Sequence, residues 1–225
     1  VMHTLVLDTA TERGVVALCQ DRSVLYEIHL PFGLNNSKAL FVELDNLFKK
    51  TELSKSSLEL IICGQGPGSY TGMRVASAAA QSLSFALQVP LIGVPTTLGL
   101  TPTIDGPFGA IIDAKVSGVY LQKGERSKGQ VRFTTQPSIV SLKELPAILQ
   151  GVRTLVTPNK EFLQPKIEAI FEEVLLWEEK SLSVDQLLFA ALERFSQKDF
   201  SQEQNLDLLY LRKTQAEIEK SGHVF

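Results

Sequence analysis

LELIICGQGPGSYTGMRVASAAAQSLSFALQ, residues 58–88, joins an apolar run, a loop with glycine at nearly every second position, and a long segment almost without charge. Leu60, Ile61, Ile62 and Cys63 form a short apolar run ended by Gly64, the pattern of a strand buried on both faces. The loop uses Gly64, Gly66, Gly68 and Gly72, with Pro67 fixing one backbone angle and Ser69 and Thr71 as candidate helix N-caps. Beyond it, Met73, Ala76, Ala80, Leu83 and Leu87 recur at the three-and-four spacing of a helix, widened by Val75, Ala79 and Ala86. The other face, Arg74, Ser77, Gln81, Ser84 and Gln88, is narrow and polar and carries one charge. Such a helix packs on nearly every side, either inside the core or against a partner protein.

Upstream, HTLVLD (3–8), a polar turn, residues 14–19 and residues 24–30 read as three strands of an antiparallel meander. A helix over about 37–50 follows, with Leu40, Phe41, Leu44, Leu47 and Phe48 on its apolar face. Downstream of residue 88, Pro90 and Pro95 bound a short strand over 91–94. The first half therefore reads β-β-β-α-β-α-β. After a segment rich in Gly and Pro near residue 105 the order starts again. FGAIID (108–113) ends in an aspartate as the first strand does, AKVS leads into GVYLQK, residues 131–135 supply a third strand, 142–150 a short helix and 152–156 another strand. Two similar lobes are expected, 1–104 and 105–225, the second with a helical C-terminal segment. Helices are expected around Phe162, Ile167, Ile170, Phe171 and Val174, and around Leu187, Leu188, Ala191, Leu192 and Phe195. Trp177 reads as a packing residue, and residues 206–211 as a short apolar segment before a charged tail.

The totals exclude several classes. With 225 residues and 44% hydrophobic content the chain can build a substantial core, and a net charge of −3 argues against gripping nucleic acid unaided. No apolar run reaches membrane-spanning length and no signal-peptide pattern is present, so a soluble, cytoplasmic protein with reduced, buried Cys19 and Cys63 is expected. The glycine loop lacks the lysine of a phosphate loop, and Ser69 stands where a dinucleotide fingerprint from Gly64 needs its third glycine. It reads as a structural turn or interface element: Gly64, Gly66, Pro67, Gly68, Ser69, Thr71 and Gly72. Asp8 with Thr9, and Asp113 with Ser117, close equivalent strands and could hold a metal-bound phosphate across a cleft. The plainer reading, that each aspartate accepts backbone bonds in its own turn, is favoured. His3, His29 and His223 are isolated and no metal-ligand spacing occurs, so no metal site and no catalytic residue is assigned.

The run GQGPGSYTGMRVASAAAQSLSFALQVPLIGV resembles the TsaB (YeaZ) family of tRNA threonylcarbamoyladenosine biosynthesis proteins. Gly64, Gly66, Pro67, Gly68, Ser69, Tyr70, Thr71, Gly72, Arg74, Pro90, Leu91, Gly93 and Val94 fit its pattern, as do LVLDTAT at 5–11, IIDAK at 111–115 and YLR at 210–212. Asn36 stands where many relatives have histidine, and Lys115 replaces an arginine.

The resemblance implies an α/β fold of two duplicated ribonuclease-H-like lobes, of the actin/Hsp70 ATPase type. It implies a non-catalytic scaffold, glycoprotease-like but without the metal histidines of its catalytic TsaD-type paralogue. That scaffold would pair with TsaD through its N-lobe helices and, with a TsaE-type ATPase, support threonylcarbamoyl transfer to the adenosine beside the anticodon. Under it the interface is expected at Met73, Arg74, Ala76, Ser77, Ala80, Gln81 and Ser84, with a homodimer when free and tRNA contacted indirectly. No cofactor is expected to bind the chain tightly alone, with ATP and magnesium or another metal possible in the complex. The rival is a stand-alone nucleotide-binding kinase or ATPase of the same fold; an M22-type peptidase would lack its metal ligands.

Overall fold

The computed structural model describes residues 1–33, 35–200 and 205–212. In the first lobe β1 (His3–Asp8), β2 (Val15–Gln20) and β3 (Ser23–His29) form the meander, followed by α1 (Leu40–Thr51), β4 (Leu58–Gly64), α2 (Tyr70–Leu87) and β5 (Leu91–Val94). In the second, β6 (Gly106–Asp113), β7 (Val119–Ser127), β8 (Gln130–Phe133) and a short β9 (Ser138–Val140) precede α3 (Leu145–Ile148), β10 (Thr154–Thr157), α4 (Lys160–Glu168) and β11 (Leu176–Glu179). Helix α5 (Val184–Ser196) follows.

The two sheets repeat one strand order. The first runs β3-β2-β1-β4-β5, the second β8-β7-β6-β10-β11, with β9 paired to β7. In each, the first two strands are antiparallel and the later ones parallel to the first. The parallel strands are the apolar runs that lack alternation, because both of their faces are covered. One face of the first sheet packs on α1 and α2, through Leu5, Leu7, Leu44, Ile61, Ala76 and Ala80 among others. One face of the second packs on α3 and α4, through Ile111, Leu121, Leu145, Leu155, Leu163 and Ile167. The two remaining faces and α5 share a third core, including Val6, Ile62, Phe108, Ile112, Val156 and Leu187. Cys19 and Cys63 are buried free thiols, their pKa values pushed up chiefly by burial, Cys19 to about 12.

Three expectations change. Strand β11 was hidden in a stretch read as helical: it is a short edge strand, so Leu176 stays exposed and the sequence shows no alternation. Helix α4 consequently ends at Glu168, and Ile170 and Val174 lie outside it, exposed. The helical C-terminal segment does not belong with the second lobe alone. Helix α5 packs against the turn at Thr96–Gly99 and on β5, β3, β4 and β1 of the first. Residues 205–212 also return there: Leu209 N–H donates to Gln65 O (2.8 Å), and Gln65 Nε2 donates to Asp207 O (2.7 Å). The charged tail and His223, in 213–225, lie outside the described residues.

Candidate functional site

The glycine loop and the turn after β1 are built against each other. A Cβ on Gly68 would lie 2.1 Å from Ala10 O, and one on Gly72 would lie 1.9 Å from Thr9 O. No side chain fits at either place. Ser69 N–H donates to Ala10 O (2.8 Å), Thr9 Oγ1 donates to Gly72 O, and Ser69 Oγ caps α2 by accepting from Gly72 N–H (3.2 Å). The N-cap is thus Ser69, one of the two candidates, and Thr71 lies exposed in the first turn. Pro67 follows Gly66 through a cis peptide bond. The loop is anchored to the Thr96–Gly99 turn after β5 through Gly66, whose N–H donates to Thr96 Oγ1 (3.0 Å).

Asp8 and Asp113 occupy equivalent positions and do equivalent local work. Asp8 Oδ1 accepts from Ala10 N–H (2.8 Å), and Asp113 Oδ1 accepts from Lys115 N–H (3.1 Å). Their surroundings differ. Asp8 is fully buried and accepts from Thr96 Oγ1 (2.7 Å); burial raises its pKa from 3.8 to about 6, against the opposing pull of the two hydrogen bonds. Asp113 is clamped by two cations, Lys115 Nζ at 3.1 Å and Lys166 Nζ at 3.2 Å. Both oxygens of Asp8 and Oδ1 of Asp113 are hydrogen-bonded within the chain, whereas the buried Asp113 Oδ2 is met only by the ion pair with Lys115. Asn36 is buried and ties the chain before α1 to the same turn, its Nδ2 donating to Thr11 O (2.7 Å).

Between the two turns lies a cleft of about 150 Å³, lined by Glu12, Ser69, Tyr70, Asp113, Lys115 and Arg212 among others. Residues 210–212 roof its first-lobe side. The rings of Tyr70 and Tyr210 meet edge to face at 5.0 Å, Tyr70 OH donates to Arg212 O, and Arg74 Nε donates to Tyr210 OH (3.1 Å). On another side Arg13 bridges the lobes, donating from Nε to Pro158 O (2.8 Å) and pairing with Glu179 (2.5 Å). Arg13 and Glu179 were missed for want of any local motif. Tyr210 and Arg212 were visible in the YLR motif, but not their place beside α2.

Helix α2 turns a different side outward from the one expected. Met73, Ala76, Ser77, Ala80 and Ser84 are buried against their own sheet and α1, so they cannot line a surface for another protein. Of the seven expected positions only Arg74 is exposed and Gln81 half-exposed. The outward row is Thr71, Arg74, Ala78, Ser82, Phe85 and Ala86. Beside it on α1, Phe41 and Val42 are 63% and 62% exposed, and Phe85 is 71% exposed. A groove of about 420 Å³ runs between the helices, lined by Phe41, Phe48, Ala78, Ser82, Leu83 and Ala86.

Two lobes of one strand order, facing each other across a cleft at the ends of equivalent strands, define a duplicated ribonuclease-H-like protein of the actin/Hsp70 ATPase fold. Residues 34–173 match the family model described as "TsaD: tRNA N6-adenosine threonylcarbamoyltransferase". The chain belongs to this family, as a member of its TsaB (YeaZ) group. Among curated relatives, the tRNA threonylcarbamoyladenosine biosynthesis protein TsaB of Escherichia coli K12 is 28% identical over 135 residues, 58% of each chain. TsaB of Haemophilus influenzae is 30% identical over 137 residues, 57% of this chain and 56% of the relative. The chain thus spans a little over half the length of the curated relatives it matches. The solved structure of YeaZ from Pseudomonas aeruginosa superposes with a TM-score of 0.78 at 21% identity, covering 94% of this chain and all of that one, which establishes the shared fold. Among the described residues no helix is long and apolar enough to cross a membrane.

Proposed function

We propose that this chain is a cytoplasmic subunit for formation of threonylcarbamoyladenosine in tRNA, docking through α1 and α2 onto a catalytic TsaD-type paralogue and not performing the transfer itself. A TsaE-type ATPase is the further component in this reading, and the same face would serve a homodimer of the free chain. The observation that carries it is the outward face of the two helices: α2 has a single charge, Arg74, in eighteen residues and exposes Phe85, while α1 exposes Phe41 and Val42 near an apolar groove. Contiguous exposed apolar surface of this kind marks a protein interface. The relatives' names supply the pathway.

The rival, a stand-alone nucleotide-binding enzyme, draws less support from the cleft. Its 150 Å³ falls below the roughly 300 Å³ at the low end of small-molecule pockets, and Asp8 and Asp113 spend their oxygens on the chain's own groups. Reconstitution of tRNA modification from purified paralogue, ATPase and tRNA, with and without this chain, tests the reading. The expected result is modification that requires the chain, which is inactive alone. Full modification without it, or transfer by the isolated chain, would overturn the reading.

A further inference from the structure

The interlobe cleft is lined by the cations Lys115 and Arg212 and the carboxylates Glu12 and Asp113, with Lys166 and Arg74 adding positive charge beside them. Arg74 and Arg212 have no carboxylate partner among the described residues. Their guanidinium groups rest on aromatic rings instead, Arg74 5.7 Å from the centre of Tyr210 and Arg212 5.4 Å from that of Tyr70. Across the cleft Lys115 and Lys166 share the one carboxylate of Asp113, and both ammonium groups lie 5.8 Å from the centre of Phe162. On the side where Arg13 bridges to Pro158, its guanidinium lies 4.9 Å from the centre of Phe32. Of these residues Tyr70, Lys115 and Arg212 line the cleft itself, Phe162 and Tyr210 are in contact with them, and Arg13, next to the lining residue Glu12, is already paired with Glu179. Phe32 and Phe162 are 59% and 51% exposed, so their rings remain available to something else.

Cations set beside exposed aromatic faces suit a flexible polyanion that also carries planar groups. Phosphates meet the charges, and unpaired bases stack on the rings. An acidic protein surface would use the charges and leave the rings idle. A duplex would keep its bases from them. The net charge of −3 makes this an auxiliary contact, strengthened when another subunit holds the same molecule.

We propose that the cleft mouth is a contact surface for single-stranded RNA, with Lys115, Lys166 and Arg212 facing backbone phosphates and Phe162 and Phe32 stacking bases. The choice of RNA rests on the proposed role in tRNA modification; the chemistry of the surface asks only for unpaired nucleotides. It departs from the sequence expectation that tRNA is contacted indirectly.

Fluorescence anisotropy of the full chain with a labelled RNA hairpin bearing an unpaired loop, against a blunt duplex of the same length, tests this at low salt. The hairpin should bind more tightly than the duplex. Phe162→Ala should weaken hairpin binding about tenfold, the scale of one lost base stack. Lys115→Glu should weaken it and lower the salt dependence by about one counterion. Both side chains are half-exposed, and circular dichroism checks that the variants fold; Phe32→Ala, on the other lobe, gives an independent reading. Equal binding of hairpin and duplex, competition by polyglutamate as effective as that by RNA, or folded variants that bind like the parent would overturn the inference. A chain required for tRNA modification but failing these tests overturns this inference alone. One that passes them but is dispensable for modification overturns the proposed function alone.

Discussion

Asp8 is the residue whose environment departs furthest from its role as a simple turn former. A carboxylate with a pKa near 6 in the folded chain and 3.8 as its ordinary value holds its proton more tightly when folded. Its contribution to stability is therefore complete below pH 3.8 and is lost as the pH rises through about 6. Asp8→Asn removes the charge while keeping an acceptor for Ala10 N–H. It turns the contact with Thr96 Oγ1 around, and that hydroxyl already accepts from Gly66 N–H. The net gain at pH 8 should be about 1–3 kcal/mol, a rise in Tm of several degrees, shrinking towards zero at pH 4. Thermal melts of the two proteins across this range measure it; a gap that does not change with pH would show that Asp8 is ionised without penalty. Gly72 is the second residue of this kind. A methyl group there would press on Thr9 O, a backbone atom that cannot swing aside, so Gly72→Ala should cost about 3 kcal/mol or more, read from denaturant midpoints. The turn role of Asp8 was legible, because aspartate before a small polar turn commonly accepts its own backbone. The raised pKa was not, since it depends on β4 and the Thr96 turn closing over the site.

At the scale of elements, α2 shows what a sequence without charges conceals. The periodicity of Met73, Ala76, Ala80, Leu83 and Leu87 predicts the helix, and Ser69 caps it at its start. Which side faces the sheet could not be read, because both sides are small and uncharged and the usual polar marker of solvent is missing. The structure resolves it by packing: alanine and serine rows let α2 approach its own sheet closely, and Phe85 is left on the outside. Substituting Ala76 or Ala80 would therefore test the core and not an interface. Strand β11 escaped notice for a related reason, since a four-residue edge strand with half-buried side chains leaves no period to detect. Residues 205–212 illustrate a third limit. Their pairing with Gln65 and their contact with Tyr70 span more than a hundred residues, and only the YLR motif hinted that they belong near α2.

For the whole molecule, duplication is the organising fact, and it was legible because it repeats strand order and strand-end residues together. Asp8 and Asp113 each close the first strand of a lobe and each accept a backbone bond two residues on. The two copies are also tied to each other around their cleft. Arg13 links the lobes on one side, Tyr210 and Arg212 roof the other, and α5 fills the space between the sheets. The lobes are thus fastened to each other within the chain, and α1 and α2 present the exposed Phe41, Val42 and Phe85. Sedimentation of this chain mixed with a TsaD-type protein, the partner proposed for it, is the decisive measurement. The parent should form a heterodimer. Phe85→Asp, on the outward row, should weaken it about thirtyfold, as loss of an interface anchor does. Val174→Asp, equally exposed on the second lobe, should leave it unchanged. A folded Phe85→Asp protein that pairs with the paralogue as tightly as the parent would contradict the assignment of the α1–α2 face.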